Sequence, residues 1–202
     1  MSAPKLYYTT TSCGAATYIA LAIGGVTFDS ETVDLKTGRL ADGSDFEAVN
    51  WKGSVPSVVL PGGVVLTENV SCLLWAHDNA VKKWGPTAGT PEYYEMVDNL
   101  AYVNDAIHKC FGPLFWPSTD EAKVAAKEKL ATNLAHCIKF VIKGKKTLGA
   151  VFSAADVYMF IVLTWAGFVG VPLPDAATEY MNGIKAIDGV GSTYTAINTP
   201  KA

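Results

Sequence analysis

The sequence predicts two unlike halves, an α/β N-terminal domain followed by an all-α C-terminal domain. Three observations carry this. Strand-like and helix-like patterns alternate up to about residue 80, Gly85, Pro86, Gly89 and Pro91 then break every apolar period, and beyond them apolar residues recur only at helical spacing. With 202 residues, half of them apolar, the chain can bury a core in each of two small domains.

Taken in order, Lys5 to Thr9 reads as a strand, Gly14 to Ile23 as a helix closed by Gly24-Gly25, and Val26 to Leu35 as a second strand. A strand, crossover helix and strand form a βαβ unit with parallel strands and a right-handed crossing. Ser57 to Leu60 and Val64 to Leu66 flank Pro61-Gly62-Gly63 as a hairpin, and a helix opens near Thr67-Glu68-Asn69. The order β-α-β-β-α suggests a thioredoxin-like domain over residues 1–80, a linker over 81–91 and a helical domain over 92–202. In the latter, Met96, Leu100, Val103 and Ile107 mark a helix from Glu92 to Phe111, and Ala122 to Ile142 reads as a long helix. Ser153-Ala154-Ala155-Asp156 resembles a capping box with Asp in place of Glu, a folding signal with no chemistry assigned to it.

Composition excludes several functions. A net charge of −3 with interspersed signs offers no basic field for nucleic acid. Four cysteines, at 13, 72, 110 and 137, fit neither a metal spacing nor a disulfide framework, which points to a reducing compartment. Met-Ser-Ala-Pro-Lys carries no signal core, so a cytoplasmic protein is expected, and the sequon Asn69-Val70-Ser71 is discounted. The uncharged stretch from Val157 to Pro174 reads as a buried core helix rather than a membrane span, because Asp156 precedes it and Pro172 and Pro174 cut it. The run Lys143-Gly144-Lys145-Lys146 reads as a solvated loop, and no metal or phosphate site is indicated.

Cys13 follows the β-prone Tyr7-Tyr8-Thr9-Thr10 and precedes the small residues of a helix start. Helix N–H groups there favour a thiolate, so a lowered pKa is expected; the alternative is a small buried filler. With Ala16 where a Cys-x-x-Cys partner would stand, a dithiol mechanism is not expected. Cys72, Cys110 and Cys137 read as core. His108 follows Asn104 and Asp105 at the same-face spacings that orient an imidazole, although a lone helical histidine is usually structural.

Several stretches together carry a resemblance. Lys5-Leu6-Tyr7-Tyr8 through Cys13, Val33-Asp34-Leu35-Lys36, Phe46 through Pro56, Leu66-Thr67-Glu68-Asn69, His108-Lys109-Cys110-Phe111-Gly112-Pro113-Leu114-Phe115 and Phe152 through Tyr158 are similar, in order, to the bacterial beta class of glutathione S-transferases. The resemblance implies the glutathione transferase architecture and a detoxifying conjugation of glutathione, as co-substrate without further cofactor, to an apolar electrophile. Cys13 and His108 would be catalytic, His108 donating to the sulfur or polarising a water, and Cys13 would add a second activity, thiol-disulfide exchange through a mixed disulfide with oxidised glutathione. Tyr8, Thr11 and Ser12 remain rivals of Cys13 for stabilising the thiolate. Val55, before a typically cis Pro56, would pair its backbone with the cysteinyl unit. Glu68 would accept from the γ-glutamyl ammonium and N–H groups near Asn69 would hold its carboxylate, though Glu68 also complements its helix dipole. Lys109 could meet a glutathione carboxylate, and Asp105 would reach the neighbouring glutathione site of a homodimer.

The chain also departs from that class. Gly38 stands where a lysine is common and Ala101 where an asparagine is, so glutathione binding is expected to be at least about tenfold weaker unless Lys36 substitutes. Arg39, the single arginine, is the one candidate for a bidentate carboxylate clamp. Two rival readings are a glutathione-dependent thiol transferase or peroxidase, and a non-catalytic module that binds apolar ligands or a partner protein.

Overall fold

The computed structural model describes residues 3–142 and 146–199. Most of the basic run at 143–146 and the chain's last three residues lie outside the described residues. Compactness divides the chain into two units, one running to Trp84 and resuming at Asp188, the other spanning Gly85–Ile187.

The first unit is built on a four-stranded mixed sheet in the order β2-β1-β3-β4, with β1 Lys5–Tyr8, β2 Asp29–Thr32, β3 Ser57–Val59 and β4 Val65–Thr67. β1 pairs with β2 in parallel, Lys5 opposite Asp29, and antiparallel with β3. α1 (Gly14–Ile23) is the predicted crossover, and it packs with α2 (Asn69–Asp78). Leu6, Ile19, Leu21, Val58 and Leu73 are fully buried, while Tyr7, Val33 and Phe46 form a separate cluster. The second strand is shorter than the predicted Val26 to Leu35. Among the described residues β2 is an edge strand paired with β1 alone, which is four residues long, so the ladder ends where β1 ends. The hairpin at 61–63 closes through Leu60 N–H to the Val64 carbonyl at 2.8 Å, and Gly62 and Gly63 both adopt positive φ, +95° and +90°, which glycine accommodates without steric cost.

The final helix α8 (Val190–Asn198) belongs with this first unit, although the sequence places it in the helical half. It packs against α1, and the approach is close: a Cβ on Gly189, at φ +80°, would stand 2.9 Å from the Ile23 side chain. This is a long-range packing choice with no local sequence signal.

All regular structure described in the second unit is helical: α3 (Pro91–Tyr102), α4 (Lys109–Phe115), α5 (Asp120–His136), α6 (Ala154–Phe168) and α7 (Asp175–Lys185), with π-helical turns at Val103–His108 and Cys137–Ile142. Met96, Leu100, Val103 and Ile107 are buried as their spacing predicts. The π turns interrupt what read as two uninterrupted helices. α6 is the core of this unit, with Val157 through Leu163 at most 1% exposed, and no described helix is long and apolar enough to cross a membrane. At its start, Asp156 accepts from Ser153 N–H (2.8 Å), Leu148 N–H (2.7 Å) and the Tyr180 hydroxyl (2.7 Å), so this buried carboxylate ties α6, α7 and the preceding loop together.

Candidate functional site

Ser12 makes the turn from β1 into α1. Its hydroxyl donates to the Thr9 carbonyl (2.8 Å) and accepts from Gly14 N–H (3.1 Å), so its proton is committed to the backbone. Thr11 is exposed. Gly14 marks a close approach: a Cβ there would lie 2.9 Å from Tyr8 Cβ and 3.4 Å from Pro56 Cβ. The strand end, the helix start and the Val55-Pro56 turn therefore meet at one point.

Asn50 shapes that turn. Its Nδ2 donates to the Ser54 carbonyl (2.8 Å) and its Oδ1 accepts from Lys52 N–H (3.1 Å), and the Val55-Pro56 peptide that follows is cis. The Cys13 thiol donates to the Val55 carbonyl with Sγ 3.6 Å from the oxygen. Cys13 is only 7% exposed. Burial pushes its thiol up to about 12, Glu68 adds in the same direction, and the N–H groups of Cys13 and Gly14 pull the other way. The expectation of an acidified thiol is corrected here. Helix N–H groups do reach the sulfur, but removal from water outweighs them.

Glu68, at the start of α2, adopts φ +65° and ψ 128°, a left-handed backbone that costs a non-glycine residue about 1–2 kcal/mol. Its exposed carboxylate accepts from Lys52 Nζ (2.7 Å), which also reaches Thr67 Oγ1 (3.0 Å). Asn69 behind it is buried. Its Oδ1 accepts from Thr17 Oγ1 (2.9 Å), while Nδ2 is buried without a hydrogen-bond partner. The structure thus gathers Cys13, Val55, Pro56, Glu68 and Asn69, and adds Lys52 and Thr17, which the sequence reading passed over. Lys52 lies inside a quoted stretch but is far in sequence from the glutamate it pairs with.

Tyr8 points elsewhere. Its ring lies 5.0 Å from that of Tyr18, and both line a cavity of about 730 Å³ with Glu31, Thr32, Thr193 and Ile197, none of them a site residue above. Burial and the neighbouring Tyr18 push its phenol up to about 12. Lys36 is exposed and its N–H donates to Asp34 Oδ1 (2.8 Å). Gly38 has φ +68°, and Arg39 pairs with Asp45 at 3.5 Å.

In the second unit, the π turn delivers His108. Its Nδ1 lies in hydrogen-bond contact with the hydroxyl of Tyr158, and that hydroxyl donates to Asn104 Oδ1 at 3.0 Å. The ring packs edge-on to Trp165 (4.8 Å) and Tyr158 (5.8 Å). Burial, with the charge of Lys109, lowers its pKa to about 4. Asp105 does not orient the imidazole, as the spacing suggested. It is exposed and paired with Lys109, which also holds its carboxyl below the usual range. Asn104 does act on His108, through Tyr158, a residue whose position in α6 gave no hint of it.

No protein-family model matches the chain. The glutathione S-transferase GstA of Escherichia coli O157:H7 is 34% identical over 164 residues, which are 80% of this chain and 82% of that protein. A sphingomonad glutathione S-transferase solved with glutathione superposes with a TM-score of 0.89 at 33% identity, over 97% of this chain and all of that one. The bacterial beta-class glutathione S-transferase of Sphingomonas chungbukensis does so with a TM-score of 0.87 at 35% identity, over 96% and 98% of the two chains.

Proposed function

The chain belongs to the glutathione S-transferase family, and on that premise we propose that its main reaction is conjugation, with Cys13 as a neutral hydrogen-bond donor rather than a resting thiolate. The observation that carries this is the buried Cys13 thiol donating to Val55. In conjugation, glutathione's S–H proton passes to solvent and its sulfur forms an S–C bond to the electrophile, whose leaving group departs. A thiol held protonated beside that sulfur stabilises the developing thiolate by one S–H···S⁻ hydrogen bond. Thiol-disulfide exchange, in contrast, needs the Cys13 thiolate itself.

Glutathione is taken to lie along Val55, with Glu68 accepting from its ammonium and the N–H groups at the start of α2 meeting its carboxylate; Lys52 neutralises Glu68 until the ammonium arrives. The resemblance gives His108, Lys109 and Asp105 roles toward the same substrate, a homodimeric assembly, an apolar electrophile, a detoxifying role and a cytoplasmic setting. The test compares Cys13→Ser and Cys13→Ala in a conjugation assay. Serine keeps a donor and is expected to retain activity within about threefold, whereas alanine loses about tenfold in kcat/KM. Equal activity of wild type and Cys13→Ala contradicts the proposal.

A further inference from the structure

The Asn104, Tyr158 and His108 side chains form a chain of hydrogen bonds whose protons can be counted. Tyr158 has one hydroxyl proton, and it is donated to Asn104 Oδ1 at 3.0 Å. The Tyr158 oxygen therefore meets His108 Nδ1 as an acceptor, so Nδ1 carries a proton. Nε2 of His108 makes no hydrogen bond to any described residue, and it is not among the buried polar atoms left without a partner, so it opens to solvent.

We propose that Tyr158 and Asn104 are positioning residues that lock His108 into the tautomer with Nδ1 protonated, so that Nε2 presents a lone pair to the substrate. His108 then serves as a hydrogen-bond acceptor, for glutathione's S–H or for a water, and not as a donor to the sulfur. This rests on the proposed role of His108 toward glutathione. The surroundings agree with a neutral ring. The Tyr158 and Trp165 rings from α6 pack edge-on against it, and the positive charge of Lys109 opposes a second proton. Tyr158 is fully buried and half-buried Asn104 reaches it, so the orientation is set from inside the helical core.

Nitrogen-15 NMR of histidine-labelled protein reads the tautomer directly. The wild type is expected to show His108 protonated at Nδ1 alone, with the Nε2 signal shifting when glutathione is added. Tyr158→Phe, which keeps the ring volume, is expected to release the tautomer into a mixture and to lower kcat about tenfold with little change in the KM for glutathione. Asn104→Ala on the half-buried side acts in the same direction, and Asn104→Asp, which still accepts from Tyr158, restores most of the activity. A proton on Nε2 in the wild type overturns the proposal, as does Tyr158→Phe with unaltered tautomer and kcat. If the tautomer is as stated but His108→Ala is fully active and glutathione leaves Nε2 unshifted, the assignment of His108 to substrate fails instead, and the acceptor role fails with it.

Discussion

The Cys13 thiol and the Val55 carbonyl are joined by a hydrogen bond, Sγ to O 3.6 Å, across 42 positions of sequence. Val55 is also the residue whose backbone is proposed to pair with the cysteinyl unit of glutathione. The protein's own thiol is therefore anchored to the turn before β3 that is proposed to position the substrate's thiol. A group so anchored and so buried is arranged to donate, and an incoming sulfur competes with a carbonyl for its proton.

That geometry depends on Gly14. A methyl group at this position would meet Tyr8 Cβ at 2.9 Å and Pro56 Cβ at 3.4 Å, and none of these atoms is the flexible end of a side chain. Gly14→Ala is expected to lower stability by about 1–3 kcal/mol, as overpacking does, and to lower conjugation activity as the helix start moves away from the cis-proline turn. Thermal unfolding and a conjugation assay check both. Unchanged stability would show that β1 and α1 can part without cost.

Glutathione affinity is expected to respond at Ala101 and not at Gly38. Ala101 is exposed on α3 and tolerates a longer side chain, so Ala101→Asn adds the polar side chain that the beta-class resemblance leads one to expect there. Up to about tenfold tighter binding is expected by calorimetric titration. Gly38→Lys adds the other group, but at φ +68° its backbone strain of about 1–2 kcal/mol offsets the gain. Lys36→Ala decides whether Lys36 already substitutes. A strong loss there shows that the site is not weakened.

His108 links stability to pH. Its folded-state pKa of about 4 lies below the ordinary 6.5, chiefly through burial. For a depressed group the unfolded chain binds more protons in this range, so the stabilisation is full above pH 6.5 and is lost as pH falls toward 4, at most about 3 kcal/mol. Tyr158 and Trp165 pack against the ring and Lys109 acts on it, and none of these changes charge in that window. Urea unfolding of wild type and His108→Gln should converge as pH falls through this range. Parallel curves contradict the shift.

Much of the frame was legible in local pattern. Gly14 to Ile23 reads as a helix because small and apolar residues run unbroken between a turn and Gly24-Gly25, and the structure gives α1 those bounds. The buried α6 was legible because its uncharged run follows a capping aspartate. What remained hidden is long-range. The helix start at Cys13 could be seen, but not the depth at which its sulfur sits, and that depth reverses the sign of its pKa shift. The hydroxyl that orients His108 comes from Tyr158, 50 positions away, where the sequence offered Asp105 at a tempting spacing. The placement of α8 against α1 hangs on the bare Gly189, a close approach with no local pattern.

The ionisation of Cys13 tests the central claim most directly. The thiolate's ultraviolet absorbance, measured as the difference between wild type and Cys13→Ala from about pH 5 to pH 10, isolates this one sulfur from the other three. With burial holding the thiol up to about 12, the difference spectrum should stay flat throughout that range. A step centred below about pH 8, together with rapid formation of a mixed disulfide between Cys13 and oxidised glutathione, would contradict the account and make thiol-disulfide exchange the reaction this site is built for.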